Sequence, residues 1–194
     1  MDAHHSRSLG MVALIFILIS LTAAVFHGAV PVRAEDATTP TPIVIDGDTA
    51  TVDVRLYTDE HHTQKLEDPV TSTSTLYGAF SAQFNAGKAP TPEKNIAVYK
   101  LPDTIVVDDN DGGDLMEGSE ATAAKAGTWK IKDNKVIFAF DKNWLASNPA
   151  EIYVGANFSF ELADKGTGSG GNASVVFPGV GTIKIPIKDG KVTG

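Results

Sequence analysis

The stretch GTWKIKDNKVIFAF, residues 127–140, decides the fold. Two runs of alternating apolar and polar residues flank Asp133-Asn134, a dipeptide that tolerates the positive φ angles of a tight hairpin turn. If Lys132 faces Lys135 across that turn, Ile131 faces Val136 and Trp129 faces Phe138. The large apolar side chains then gather on one face as cross-strand pairs, which predicts a half-buried antiparallel hairpin.

The same two-residue period recurs on both sides of the hairpin. Upstream, TATVDVRLY (49–57) sets Ala50, Val52, Val54 and Leu56 against Thr51, Asp53 and Arg55, the pattern of a strand with one buried face. LYGAFSAQF (76–84) places Leu76, Gly78, Phe80, Ala82 and Phe84 in register. In NIAVYKLPDTIVV (95–107), Pro102 separates two β-branched runs and belongs at a bend or edge. Between these segments, residues 58–75 are polar and rich in Thr and Ser, a long loop or frayed edge.

Downstream, EIYVGANFSFEL (151–162) aligns Ile152, Val154, Ala156, Phe158, Phe160 and Leu162 on one face. SVVF and TIKIPI add two shorter strands after the glycine-rich run KGTGSGGN (165–172). Pro186 has no amide proton to donate, so the last strand is expected at a sheet edge. DKNWLASNP (141–149) is the one helical candidate: Asp141 can cap it and Asn148-Pro149 stops it within about two turns. Eight or nine short strands and one crossover helix predict an all-β, two-sheet sandwich of immunoglobulin type, with a jelly roll as the alternative.

The N-terminus reads as an export signal. A short polar region with His4, His5 and Arg7 precedes an apolar run from Met11 to Phe26, and Val32 and Ala34 supply the small residues of a cleavage site before Glu35. The run is about 16 residues against the ~20 of a spanning helix, so residues 1–34 are expected to leave the mature chain. The membrane then meets the chain only through this segment before cleavage. With no cysteine in the chain, a lipid anchor on a lipobox thiol is excluded. Residues 35–44, polar and rich in Thr and Pro, read as a tether, and 45–194 as a single domain.

The whole chain carries 24 Asp and Glu against 16 Lys and Arg. Without Asp2, Arg7 and Arg33 this becomes 23 against 14, a net charge of −9. Nucleic acid is an unfavourable partner for so acidic a chain. Stability must come from burial, since no disulfide can form, and the mature length suffices for one sizeable core.

Few residues offer chemistry. Asp108, Asp109, Asp111, Asp114 and Glu117 supply hard oxygens of the kind calcium takes. Their spacing departs from an EF-hand loop: counted from Asp108, position five is Gly112 and position twelve is Ser119. The competing reading is a solvated hairpin tip. His61 and His62 are the histidines that survive processing, and neighbours in an extended segment point apart. That leaves no zinc site and no serine triad, and no Gly-x-Ser-x-Gly turn is present. No catalytic or cofactor-binding residue is assigned. Lys130, Lys132, Lys135 and Asn157 lie in strands and are candidates for an isopeptide crosslink. Tyr57, Tyr77, Tyr99 and Tyr153 are the candidate sugar platforms, each weighed against ordinary packing. LPDTI (101–105) is similar to a sorting motif but sits between strands, and is read as structural.

The order of segments TATVDVRLY, AVYKLPDTIVV, AGTWKIKDNKVIFAFDKNWL, IYVGANFSFEL and GTIKIPI resembles the N-terminal domains of Gram-positive surface adhesins of the collagen-adhesin and fibrinogen-binding type. The likeness spans about residues 45–188; Lys94-Asn95 stands where that family often has Gly-Asp. The resemblance implies a variant immunoglobulin sandwich displayed at the cell surface, without catalysis, that attaches to an extracellular protein or glycan ligand. No binding residue carries over. The loops 58–75, 108–118 and 164–172 are the expected ligand surface. The competing expectations are a stalk or pilin-like spacer and a carbohydrate-binding module.

Overall fold

A computed structural model describes residues 41–116, 124–147, 151–163 and 171–188. The described residues form an all-β, immunoglobulin-like sandwich with one short crossover helix. Sheet A joins β1 (Ile43–Val44), β4 (Ile96–Lys100), β8 (Lys135–Phe140), β7 (Lys125–Lys132) and β6 (Gly112–Met116), in that spatial order. Sheet B joins β2 (Ala50–Tyr57), β3 (Leu76–Phe84), β9 (Tyr153–Leu162) and β5 (Ile105–Val107). The third sheet is a hairpin of β10 (Gly171–Phe177) and β11 (Gly181–Ile187). Helix α1 (Lys142–Ser147) carries the chain from sheet A to sheet B. It is capped as expected, with Asp141 Oδ1 accepting from the amides of Asn143 at 2.8 Å and Trp144 at 2.9 Å.

The hairpin register is the one its sequence dictates: Lys132 opposes Lys135, Ile131 opposes Val136 and Trp129 opposes Phe138. Asp133 and Asn134 take φ of 51° and 56°, the paired left-handed conformations of a two-residue turn. The tip is fastened to the LPDTI segment. Asn134 donates its side-chain amide to the carbonyls of Leu101 at 3.1 Å and Pro102 at 3.2 Å, and its own carbonyl accepts from the Leu101 amide at 3.0 Å.

The two sheets meet through aromatic rings. Phe80 of sheet B lies 4.4 Å from Tyr99 and 5.8 Å from Phe138 of sheet A, centroid to centroid. Every residue assigned inward in 152–162 is buried, as are Leu76, Gly78, Phe80, Ala82 and Phe84. No polar or charged residue among those described is buried, so apolar burial is the main source of the interior's stability.

Three features depart from the sequence reading. Strand β1 lies inside the stretch read as tether: Ile43 packs on the core and the pair runs parallel to β4. Strand β6 falls within the acidic run read as a loop. Gly112 is required there, because a Cβ would stand 2.8 Å from the Trp129 carbonyl; at Gly113 a Cβ would stand 3.1 Å from the indole nitrogen of Trp129, a tight fit. Residues 58–75 are not frayed. Leu66 and Val70 pack against the core, and Val70 bonds to β11 on both sides, giving its amide to Pro186 and accepting from the amide of Lys188. Pro186 thus lies in a strand whose outer edge, among the described residues, is paired only with Val70, the kind of position that tolerates its missing amide proton.

Candidate binding surface

The outer face of sheet A is assembled from strands distant in sequence. Alternation turns Ile96, Val98 and Lys100 of β4, Lys135, Ile137 and Ala139 of β8, and Thr128, Lys130 and Lys132 of β7 away from the core. Strand pairing arranges them in cross-strand rows. One row runs Val44, Val98, Ile137, Lys130; the next runs Lys100, Lys135, Lys132. Val44 is 58% exposed, while Val98 and Ile137 are half-buried. All four lysines are exposed.

Three lysines directly opposite one another break the usual rule for sheets. Cross-strand neighbours have Cβ atoms about 5 Å apart, and like charges in that relation are destabilising. Lys100 is relieved by Asp103, whose carboxylate lies 2.9 Å from its Nζ. The ammonium hydrogen bond and charge of Lys100 hold the Asp103 carboxyl below its ordinary range, aided by the Asn134 side chain and opposed by a small desolvation. Lys130, Lys132 and Lys135 form no ion pair with the described residues, although Asp133 is their neighbour in the turn.

The acidic run does not gather. Asp108 accepts from the amide of Asn110 at 2.9 Å and from its side chain at 2.7 Å, the local closure of a turn. Asp111 reaches across to sheet B, where its carboxylate accepts from the Ser159 amide at 3.2 Å. Asp114 pairs with Lys125 at 2.6 Å, and Asp109 is exposed. Glu117 lies outside the described residues. Among the described residues no three His, Asp or Glu side chains stand where they could share a metal ion.

The other candidates are distributed as follows. Lys130, Lys132 and Lys135 are exposed on sheet A, and Asn157 is exposed on sheet B. None has the dry, apolar surroundings of a crosslink. Tyr99 is fully buried and Tyr57 nearly so, which removes both as sugar platforms; Tyr77 is half-buried and Tyr153 is 62% exposed. His61 is exposed beside Glu60, whereas His62 turns inward at φ 55° with its ring edge-on to Tyr57. Of the three expected ligand loops, 58–75 is docked to the domain, 108–116 is half strand, and 164–170 lies outside the described residues.

Sequence reasoning missed the lysine row as a unit. The Lys132–Lys135 pair follows from the hairpin, but Lys100 joins it only through the pairing of β4 with β8. No family model and no curated protein matches the chain.

Proposed function

We infer that this chain is an exported, non-catalytic attachment domain that works outside the cell. The observation that carries this reading is the outer face of sheet A: an organised row of lysines beside an apolar strip, on a rigid sandwich, with three of the four ammonium groups in no ion pair among the described residues. Binding surfaces combine a fixed scaffold with groups whose own partners are missing. The signal-like residues 1–34 and the order of strand motifs shared with surface adhesins support the setting.

The reading is tested by producing the whole sequence in an exporting host. The expected product is recovered from the medium or cell surface with a mass that starts at Glu35, and it binds at least one extracellular matrix protein or glycan saturably. Retention in the cytosol with residues 1–34 intact, or no saturable binding across a matrix and glycan panel, overturns it.

A further inference from the structure

We propose that the lysine row of sheet A is a binding site for an acidic polysaccharide, a chain whose repeats carry sulfate or carboxylate groups. The proposal rests on the attachment reading above and names its ligand class.

The argument begins with spacing. Lys100, Lys135 and Lys132 occupy neighbouring positions on three adjacent strands, and strands lie about 4.8 Å apart. The row therefore offers cationic heads across the sheet at the strand spacing, with Lys100 shared with Asp103. Lys130 stands on the adjacent row beside Ile137, widening the charged end. Lysine ammonium groups on four-carbon stems act as movable point charges, suited to anions whose positions vary along a polymer.

The second element is the apolar row. Val44, Val98 and Ile137 run parallel to the lysines about two residues away along each strand, roughly 7 Å. A sugar ring whose anionic substituent reaches a lysine can rest its C–H face on this strip. Single-stranded nucleic acid would instead want aromatic platforms for its bases, and the outward residues of β4, β7 and β8 include none.

The third element is preorganisation. The Asn134 bonds to Leu101 and Pro102 lock the hairpin tip against the start of the β4–β5 connection, so Lys132 and Lys135 are held beside Lys100 before any ligand arrives. Four lysines against Asp103 and Asp133 leave the local field positive despite the acidity of the whole chain. At physiological salt the screening length is about 8 Å, so an exposed patch is governed by its nearest charges.

The test compares two triple variants of equal charge by surface plasmon resonance on immobilised heparin and hyaluronan. Neutral dextran and a single-stranded oligonucleotide serve as comparison surfaces. One variant is Lys130→Gln/Lys132→Gln/Lys135→Gln; the other is Lys65→Gln/Lys184→Gln/Lys188→Gln, exposed lysines on other elements. Circular dichroism and melting establish that each is folded. Expected is saturable, salt-sensitive binding of the parent to heparin, hyaluronan or both, and a loss of at least tenfold in the first variant only. Binding to heparin alone assigns sulfate, and binding to hyaluronan assigns carboxylate. Equal losses in both variants, or equal binding to the oligonucleotide, overturn the site in favour of diffuse electrostatics. If the parent ignores both polysaccharides yet binds a matrix protein, the ligand class falls while the attachment reading stands; if it binds nothing, both fall.

Discussion

The Tyr99 hydroxyl donates to the Pro178 carbonyl at 3.0 Å, joining the centre of sheet A to the turn of the β10–β11 hairpin. The bond fixes a flank of the sandwich that shares no strand pairing with sheet A. Replacing Tyr99 by Phe keeps the ring and removes the donor. The expected cost is about 1 kcal/mol, read as a lower melting temperature with unchanged circular dichroism. Burial pushes the Tyr99 hydroxyl well above its ordinary value. The unfolded chain therefore releases this proton first, and stability falls as the pH rises past about 10. Tyr99→Phe should flatten that part of the decline, measured by urea unfolding between pH 9 and 11.

Gly78 leaves room for the ring of Phe158, its cross-strand partner. A Cβ at Gly78 would come within 2.5 Å of that ring. Gly78→Val forces Phe158 out of its packed position and should cost about 1–3 kcal/mol. Shortening the neighbour in Gly78→Val/Phe158→Leu should recover part of the loss. A strictly additive double variant in chemical unfolding would show that the two sites are not coupled.

The ion pair between Lys100 and Asp103 sets a titration. Because the folded-state carboxyl sits below its ordinary range, its contribution is complete above the unfolded value near pH 4. The contribution is lost as the pH falls through the folded value. NMR titration of the Asp103 carboxyl should give a midpoint below that of a free aspartate. Lys100→Gln should raise it, since the hydrogen bond and the charge depart together.

Relieving the lysine row should improve folding and harm binding. Lys132→Glu turns a like-charge cross-strand pair with Lys135 into an opposite-charge one, and is expected to stabilise by roughly 0.2–1 kcal/mol. The same substitution should weaken retention on heparin. A variant that melts higher and binds less marks the row as a place where stability yields to function. A lower melting point would show that the row is not a source of repulsion.

What could be read from sequence was whatever a short segment settles by itself. The register of β7 with β8 was legible because the turn residues and the apolar period agree over fourteen consecutive positions. Strand β6 was not, since Gly112, Gly113 and Asp114 have poor strand propensity. They pair with Lys130, Trp129 and Thr128 of another strand. Tyr99 reads as an aromatic in an ordinary alternating strand, and nothing local reveals that it faces Phe80 in the opposite layer. The binding surface divides in the same way: Lys130, Lys132 and Lys135 are a hairpin property, and Lys100 depends on which strand the hairpin meets.

Sheet B places β3 between β2 and β9, so Phe80 finds its neighbour Ala156 only after both strands of sheet A's central hairpin have been made. Pairings this far apart along the chain are slow to form. On the ribosome, residues 153–162 emerge last of the four strands of sheet B. Until then the edge of β3 that β9 will cover stays unpaired, a template for other strands while the domain assembles.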